Sequence, residues 1–229
     1  MNIALIVAAG SGSRMTNADK PKQFLLVEGK PLIIYTVKAF QENAGIDKIV
    51  IVTSADYKKQ VSDWREQYGL SKVIDIVLGG DTRQASVYNG LKAIKELGAK
   101  DDDIVLIHDG ARPLVTQDII SNNIKACKNF EAVDTVIKAS DTILVSPDGE
   151  TISNIPNRNE LFQSQTPQTF KFGLVLKAHE NAKDNKATDD AKLVLSMGKT
   201  VRLVQGNKQN FKVTTPEDLK LLSVLLNNK

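Results

Sequence analysis

Six short β-rich runs, at residues 3–8, 48–53, 73–77, 104–108, 132–138 and 200–204, are separated for the most part by stretches with apolar residues on a helical period. That alternation restricts the fold to an α/β class, a Rossmann-like doubly wound, mostly parallel sheet. Parallel neighbours need long crossovers, and the crossover helices cover both faces. Residues 31–40 begin with Pro31 at a first-turn position and read as the first crossover helix. Residues 56–68, 83–97 and 116–130 follow suit, and the last places Ile119, Ile120, Ile124 and Cys127 on one face, which makes Cys127 a core residue. Thr188-Asp189-Asp190 and Thr215-Pro216-Glu217-Asp218 are helix start signals.

Length and charge narrow the class further. At 229 residues the chain suits a single domain, 1–229, and a net charge of +3 supplies no broad field for nucleic acid or an anionic membrane. Partners are therefore small molecules. One cysteine makes no internal disulfide, and with two histidines it builds no closed zinc site, so the expected compartment is a reducing cytoplasm. The apolar run 3–9 lacks a basic leader and is too short for a signal core, and no run approaches the ~20 residues that span a bilayer.

One segment breaks the alternation. Residues 134–160 carry Val/Ile-rich halves around the turn signal Ser146-Pro147-Asp148-Gly149, which reads as a projecting hairpin. A β-arm with an apolar face and no covering helix implies a homodimer contact; the alternative is a hairpin folded back on its own domain.

The strongest chemical signal is the passage from residues 3–9 into Gly10-Ser11-Gly12-Ser13-Arg14-Met15 and then Lys20-Pro21-Lys22-Gln23-Phe24. Small residues at a strand end let backbone N–H groups close on an anion, with Arg14, Lys20 and Lys22 beside them. The run fits neither the dinucleotide fingerprint nor the P-loop, and the plainer alternative is a glycine-rich surface turn. A second signal is the apolar strand 104–107 that delivers His108-Asp109-Gly110-Ala111-Arg112-Pro113 to the edge where open α/β sheets bind ligands. Asp109 could hold Mg²⁺ and Arg112 could clamp a phosphate, unless the two form a structural ion pair. His108 faces the other side of the strand and is assigned a packing or hydrogen-bonding role. In Gly79-Gly80-Asp81-Thr82-Arg83-Gln84-Ala85-Ser86, Gly80, Asp81 and Ser86 suit a base and ribose; ordinary helix capping by Asp81 is the alternative. No G-x-S-x-G and no persuasive Ser-His-Asp order occur, so phosphoryl or nucleotidyl transfer is favoured over acyl chemistry.

Together with Gln165-Thr166-Pro167-Gln168, Thr188-Asp189-Asp190-Ala191 and Lys212-Val213-Thr214, these motifs resemble the cytidylyltransferases that join CTP to a polyol phosphate, 2-C-methyl-D-erythritol 4-phosphate or ribitol 5-phosphate. The resemblance implies a swapped β-arm dimer and a divalent cation, usually Mg²⁺, held by Asp109. It implies that Ala8, Ala9, Gly10, Gly80, Asp81 and Ser86 contact cytidine, with Gly12 allowing close approach to CTP. Arg14, Lys22 and Lys212 would be catalytic, stabilising charge on the phosphates. Arg112, Thr166 and Thr188 would line the acceptor pocket, with Thr142 and Arg158 reaching in from the neighbour's arm. Residues 132–136 and 155–165, with Phe162 where methylerythritol enzymes usually show a tryptophan, resemble the ribitol 5-phosphate branch, which makes CDP-ribitol the expected product; Ala8-Ala9-Gly10 and Thr188-Asp189-Asp190-Ala191 look more like the methylerythritol branch, and methylerythritol phosphate is the alternative acceptor. A catalytically silent nucleotide-binding protein is the alternative of another class.

Overall fold

A computed structural model describes residues 1–10 and 20–227. Gly12 and Arg14 lie outside the described residues. Along the chain come β1 (Asn2–Ala8), β2 (Leu26–Val27), β3 (Lys30–Pro31), α1 (Leu32–Gln41), β4 (Lys48–Thr53), α2 (Ala55–Gln67), β5 (Val73–Leu78) and α3 (Arg83–Glu96). They are followed by β6 (Ile104–Asp109), α4 (Gln117–Asn129), β7 (Ala132–Lys138), β8 (Phe162–Lys171), α5 (Phe172–Glu180), α6 (Asp190–Ser196), β9 (Arg202–Gln205) and α7 (Pro216–Asn227). Among the described residues, seven strands form one sheet in the order β5-β4-β1-β6-β8-β7-β9, and β2 pairs with β3. β8 alone runs antiparallel to its neighbours in that sheet.

Strand alternation divides the core in two. Ala4, Ile6, Ile49, Ile51 and Leu106 point to the face covered by α1, α2 and α4, where Cys127 is fully buried as expected. Ile3, Leu5, Val50, Val52, Val105 and Ile107 point to the face covered by α3, α5 and α6. Each such buried aliphatic side chain contributes about 1.5–3 kcal/mol through removal from water.

β8 and α5 are absent from the sequence reading. β8 carries Gln165, Thr166, Gln168 and Thr169 around Pro167, a polar composition that argues against a central strand. These side chains are buried because they satisfy each other and their neighbours. Thr169 Oγ1 donates to Asn123 Oδ1 at 3.1 Å, and Thr135 Oγ1 donates to Pro167 O at 2.6 Å. Pro167 falls where the β7–β8 register shifts, so its missing donor interrupts no regular ladder.

The projecting segment is shorter than expected. Residues 134–138 belong to β7, paired on both sides, and only residues 139–161 leave the sheet. The turn is present: Asp148 accepts from the backbone N–H groups of Glu150 and Thr151 and from two hydroxyls, with Gly149 at φ 76°. Beyond it a single isolated bridge, Val145 to Asn154, joins the two halves, and Leu144, Ile152 and Ile155 are 50, 59 and 56 % exposed.

Candidate active site

The ends of β1 and β6 and the loop after β5 wall a cleft of about 410 Å³, lined among others by Ala8, Ala9, Gly10, Gly80, Asp81 and Ser86. Its floor is backbone. Gln23 Nε2 donates to Ala8 O at 2.7 Å and to Gly10 O at 2.8 Å, fixing the end of β1 from outside the strand. A Cβ built on Gly10 meets nothing within 4 Å, so its missing side chain keeps the cleft open rather than relieving a packing clash. The two glycines after β5 are different. A Cβ on Gly79 would fall 2.4 Å from Ala9 Cβ, and one on Gly80 would fall 2.6 Å from Ala85 Cβ, so both are needed for close packing.

This packing brings the α3 start against β1. Thr82, not Asp81, caps the helix, its Oγ1 accepting from Ala85 N at 3.0 Å. Ser86 Oγ donates to Thr82 O at 2.9 Å and accepts from Gly80 N at 3.1 Å, holding the loop in shape. Asp81 thereby stays on the cleft wall, exposed to a ligand.

The opposite wall is ionic. Asp109 Oδ2 lies 2.9 Å from Lys212 Nζ and 3.5 Å from Arg112 Nε, and Oδ1 lies 3.7 Å from Arg83 Nε. Burial opposes charge on Asp109, but Lys212, Arg83 and Arg112 outweigh it and hold the carboxyl well below the usual carboxylate range. Arg83 is itself clamped, 2.8 Å from Asp190 Oδ2, while Asp190 Oδ1 accepts from His179 Nε2 at 3.0 Å. Burial lowers the Arg83 pKa and Asp190 and Asp109 raise it more, so the guanidinium stays charged. Lys22 lines the cleft from a single 3₁₀ turn, Lys22–Phe24.

His108 faces away from the cleft, as expected. It is fully buried beside Phe40, with ring centroids 4.9 Å apart, and burial pushes its pKa down to about 4. Lys22 and Lys212 line the cleft, whereas Arg112 does not, and its NH1 donates to Asn210 O at 2.8 Å. Thr166 is buried, its Oγ1 accepting from Asp109 N at 3.1 Å. Thr188 is exposed just before the α6 cap Asp189. Thr142 and Arg158 sit on the projecting segment, both exposed, outside the cleft lining of this chain. The sequence reading missed Arg83, Gln23 and Asp190 as site residues. The available signal was position: Arg83 opens α3 directly after the Gly79–Gly80 turn.

A backbone floor, a polar loop and cations around one ionised aspartate suit a nucleotidyltransferase, an enzyme that positions and neutralises phosphates rather than attacking with a side chain. The family profile for IspD, 2-C-methyl-D-erythritol 4-phosphate cytidylyltransferase, matches residues 2–228. A protein of that name from Clostridium botulinum (strain Langeland) is 45 % identical over 222 residues, covering 96 % of this chain and 95 % of the relative. Another from Clostridium novyi is 46 % identical over 230 residues, covering 99 and 97 %. The solved 4-diphosphocytidyl-2C-methyl-D-erythritol synthase from Anaerococcus prevotii superposes with a TM-score of 0.83 at 29 % identity, covering 99 and 96 %. The chain belongs to the 2-C-methyl-D-erythritol 4-phosphate cytidylyltransferase family.

These relatives overturn the expectation of a ribitol 5-phosphate acceptor: near-full-length matches at 45 and 46 % identity carry the methylerythritol phosphate name. The residues behind that expectation do more than meet a ligand: Phe162 is 40 % exposed at the outer end of β8, opposite Lys138, residues 132–136 lie within β7, and residues 155–161 lie on the projecting segment, so their composition answers to strand and arm packing as well.

Proposed function

We propose that this enzyme transfers CMP from CTP to 2-C-methyl-D-erythritol 4-phosphate, forming the cytidine diphosphate adduct and releasing pyrophosphate. The observation that carries the reading is the ionised Asp109, held by Lys212, Arg83 and Arg112 in a cleft that the Gly80–Ser86 loop, the source of Arg83, also lines. The base of CTP binds along Gly80, Asp81 and Ser86, and the triphosphate lies over Ala8, Ala9 and Gly10 toward Lys22, with Gly12 and Arg14 acting from the same loop. The acceptor phosphate oxygen attacks the α-phosphorus in line, and pyrophosphate leaves on the opposite side. Lys22 and Lys212 neutralise charge that is greatest in the transition state. No general base is required, because the nucleophile is already anionic.

Asp109 fits a divalent cation. It is an ionised hard-oxygen donor, and the described residues contain no cluster of three carboxylate, histidine or cysteine ligands that would favour a caged metal. Mg²⁺ commonly binds through one or two carboxylates and substrate phosphates, and when bound it withdraws charge from the phosphates. Residues 139–161 act as the dimerisation arm of a single domain, carrying Thr142 and Arg158 to the neighbour's acceptor pocket, where Thr166 and Thr188 contribute from the resident chain. The exposed Leu144, Ile152 and Ile155 support that role. Among the described residues no helix is long and apolar enough to cross a membrane.

The test offers CTP and Mg²⁺ with each polyol phosphate in turn. Pyrophosphate release is expected with methylerythritol phosphate; no release with it would refute the reading.

A further inference from the structure

Three separated segments meet behind Asp109, and one fully buried imidazole joins two of them. Thr166 Oγ1 accepts a hydrogen bond from Asp109 N at 3.1 Å and lies 3.0 Å from His108 Nδ1. His108 Nε2 lies 3.1 Å from Arg112 O, a carbonyl that can only accept, so Nε2 carries the proton of the neutral ring and donates it there. Nδ1 is then the acceptor, and the Thr166 hydroxyl gives it its one proton. The same Arg112 turns back on Asp109 through its own N–H, 3.0 Å from Asp109 O, and its NH1 donates to Asn210 O at 2.8 Å. Asn210 Nδ2 then donates to Thr166 O at 2.8 Å, closing the circuit two residues before Lys212.

We propose that His108 is a positioning residue: in its Nε2–H tautomer it ties Thr166 to Arg112 and so fixes Asp109, Arg112 and Lys212 relative to one another. This rests on the proposed reaction for its kinetic readout. His108 touches no substrate; it stands on the opposite face of β6 from the cleft, and its effect passes through the backbone N–H of Asp109 and the carbonyl of Arg112. Gly80, Asp81 and Ser86, which would bind the base, lie outside the circuit, which their loop meets through Arg83, 3.7 Å from Asp109 Oδ1. Loss of His108 should therefore disturb turnover and leave CTP binding largely intact.

The experiment compares wild type, His108→Phe, His108→Gln, Thr166→Val and the His108→Phe/Thr166→Val double variant. Phenylalanine keeps a ring against Phe40 and removes both hydrogen bonds, whereas the glutamine carboxamide presents an acceptor and a donor about as far apart as the two ring nitrogens. His108→Phe should lower kcat about 10- to 100-fold, the range for groups that orient a metal-binding carboxylate. The KM for CTP should stay within about threefold, since base binding lies outside the circuit. Glutamine should restore most of the loss, and at saturating acceptor, where an acceptor contact of Thr166 shows in KM alone, the kcat of the double variant should be no worse than that of His108→Phe, because both remove one linkage. A His108→Phe enzyme with wild-type kcat, a loss that glutamine does not relieve, or losses that multiply in the double variant would overturn the proposal. If His108→Phe does not fold, His108→Asn replaces it, since the same amide one carbon shorter cannot span Thr166 and Arg112; wild-type kcat in that variant is equally contradictory. A wild type inactive on both polyol phosphates would refute the proposed reaction instead. The inference is then read from Mn²⁺ affinity in the presence of CTP, which should weaken in the phenylalanine variant and recover in glutamine; no change would overturn it.

Discussion

The end of β6 and the segment that leaves β7 emerge from the same edge of the sheet, yet they are built on opposite terms. At the end of β6, Asp109 is 8 % exposed and is surrounded by three cationic side chains from separate parts of the chain. In residues 139–161, apolar side chains stand 40–59 % exposed on a backbone joined by one isolated bridge. A buried charge must have its partners built in, because an unpaired one costs several kcal/mol; an exposed apolar strand can leave its partner to another copy. In the proposed reaction the chemistry therefore belongs to one chain, while the proposed acceptor grip is shared between two.

The largest effect that would break this contrast is at the β6 end. Asp109→Asn keeps the shape and removes the negative charge, leaving Lys212, Arg83 and Arg112 facing a neutral amide. Turnover should fall about 1,000-fold, at the upper end of what one lost electrostatic partner costs. Steady-state kinetics with a Mg²⁺ titration checks it, and undiminished kcat would place the charge outside the reaction.

A smaller effect is expected from the arm. Arg158→Ala should raise the KM for methylerythritol phosphate about tenfold, the scale of one lost charge-assisted contact, and leave the KM for CTP unchanged. A combined Leu144→Glu and Ile155→Glu variant should sediment as a monomer while keeping the Tm of the folded domain, since neither side chain is buried within it. A variant that remains dimeric would assign the contact to another surface.

Much of this was legible in sequence wherever one physical signal acted alone. The limits of β4 and β7, Lys48–Thr53 and Ala132–Lys138, coincide with those read from the β-rich runs. Asp109 was marked by its place at the end of an uninterrupted apolar strand. β8 was not legible, because its polar side chains are buried by one another and no periodicity reports mutual satisfaction. Arg83 was hidden for a similar reason: its partners Asp109 and Asp190 lie 26 and 107 residues away in sequence, and nothing local indicates the ion pairs. The acceptor preference failed because it was drawn from residues 132–136 and 155–165, stretches that also build β7, β8 and the projecting segment, so their composition reports packing as well as any ligand.

A separate effect, on stability rather than turnover, is expected near the same edge. Burial, with Asp189 nearby, pushes Asp134 up to about 6, against the opposing hydrogen bonds from Gln168 and Ser164. Between the unfolded value of about 3.9 and this folded value, the native state keeps a proton that the unfolded chain has lost. Stability therefore falls as pH rises from about 4 to about 6 and stays lower above, by about 2–3 kcal/mol. Asp134→Asn should remove that decline and raise Tm by several degrees at pH 7.5, but not at pH 4. Thermal unfolding at the two pH values checks it; equal shifts at both would show that charge is not the cause.

If the cations around Asp109 act on the transition state, Lys212→Ala must show it in turnover. With CTP, Mg²⁺ and methylerythritol phosphate, kcat should fall at least about 100-fold while the KM for CTP changes less than about threefold. A variant that keeps wild-type kcat and shows only a raised KM would contradict the claim, making Lys212 a binding group and no more.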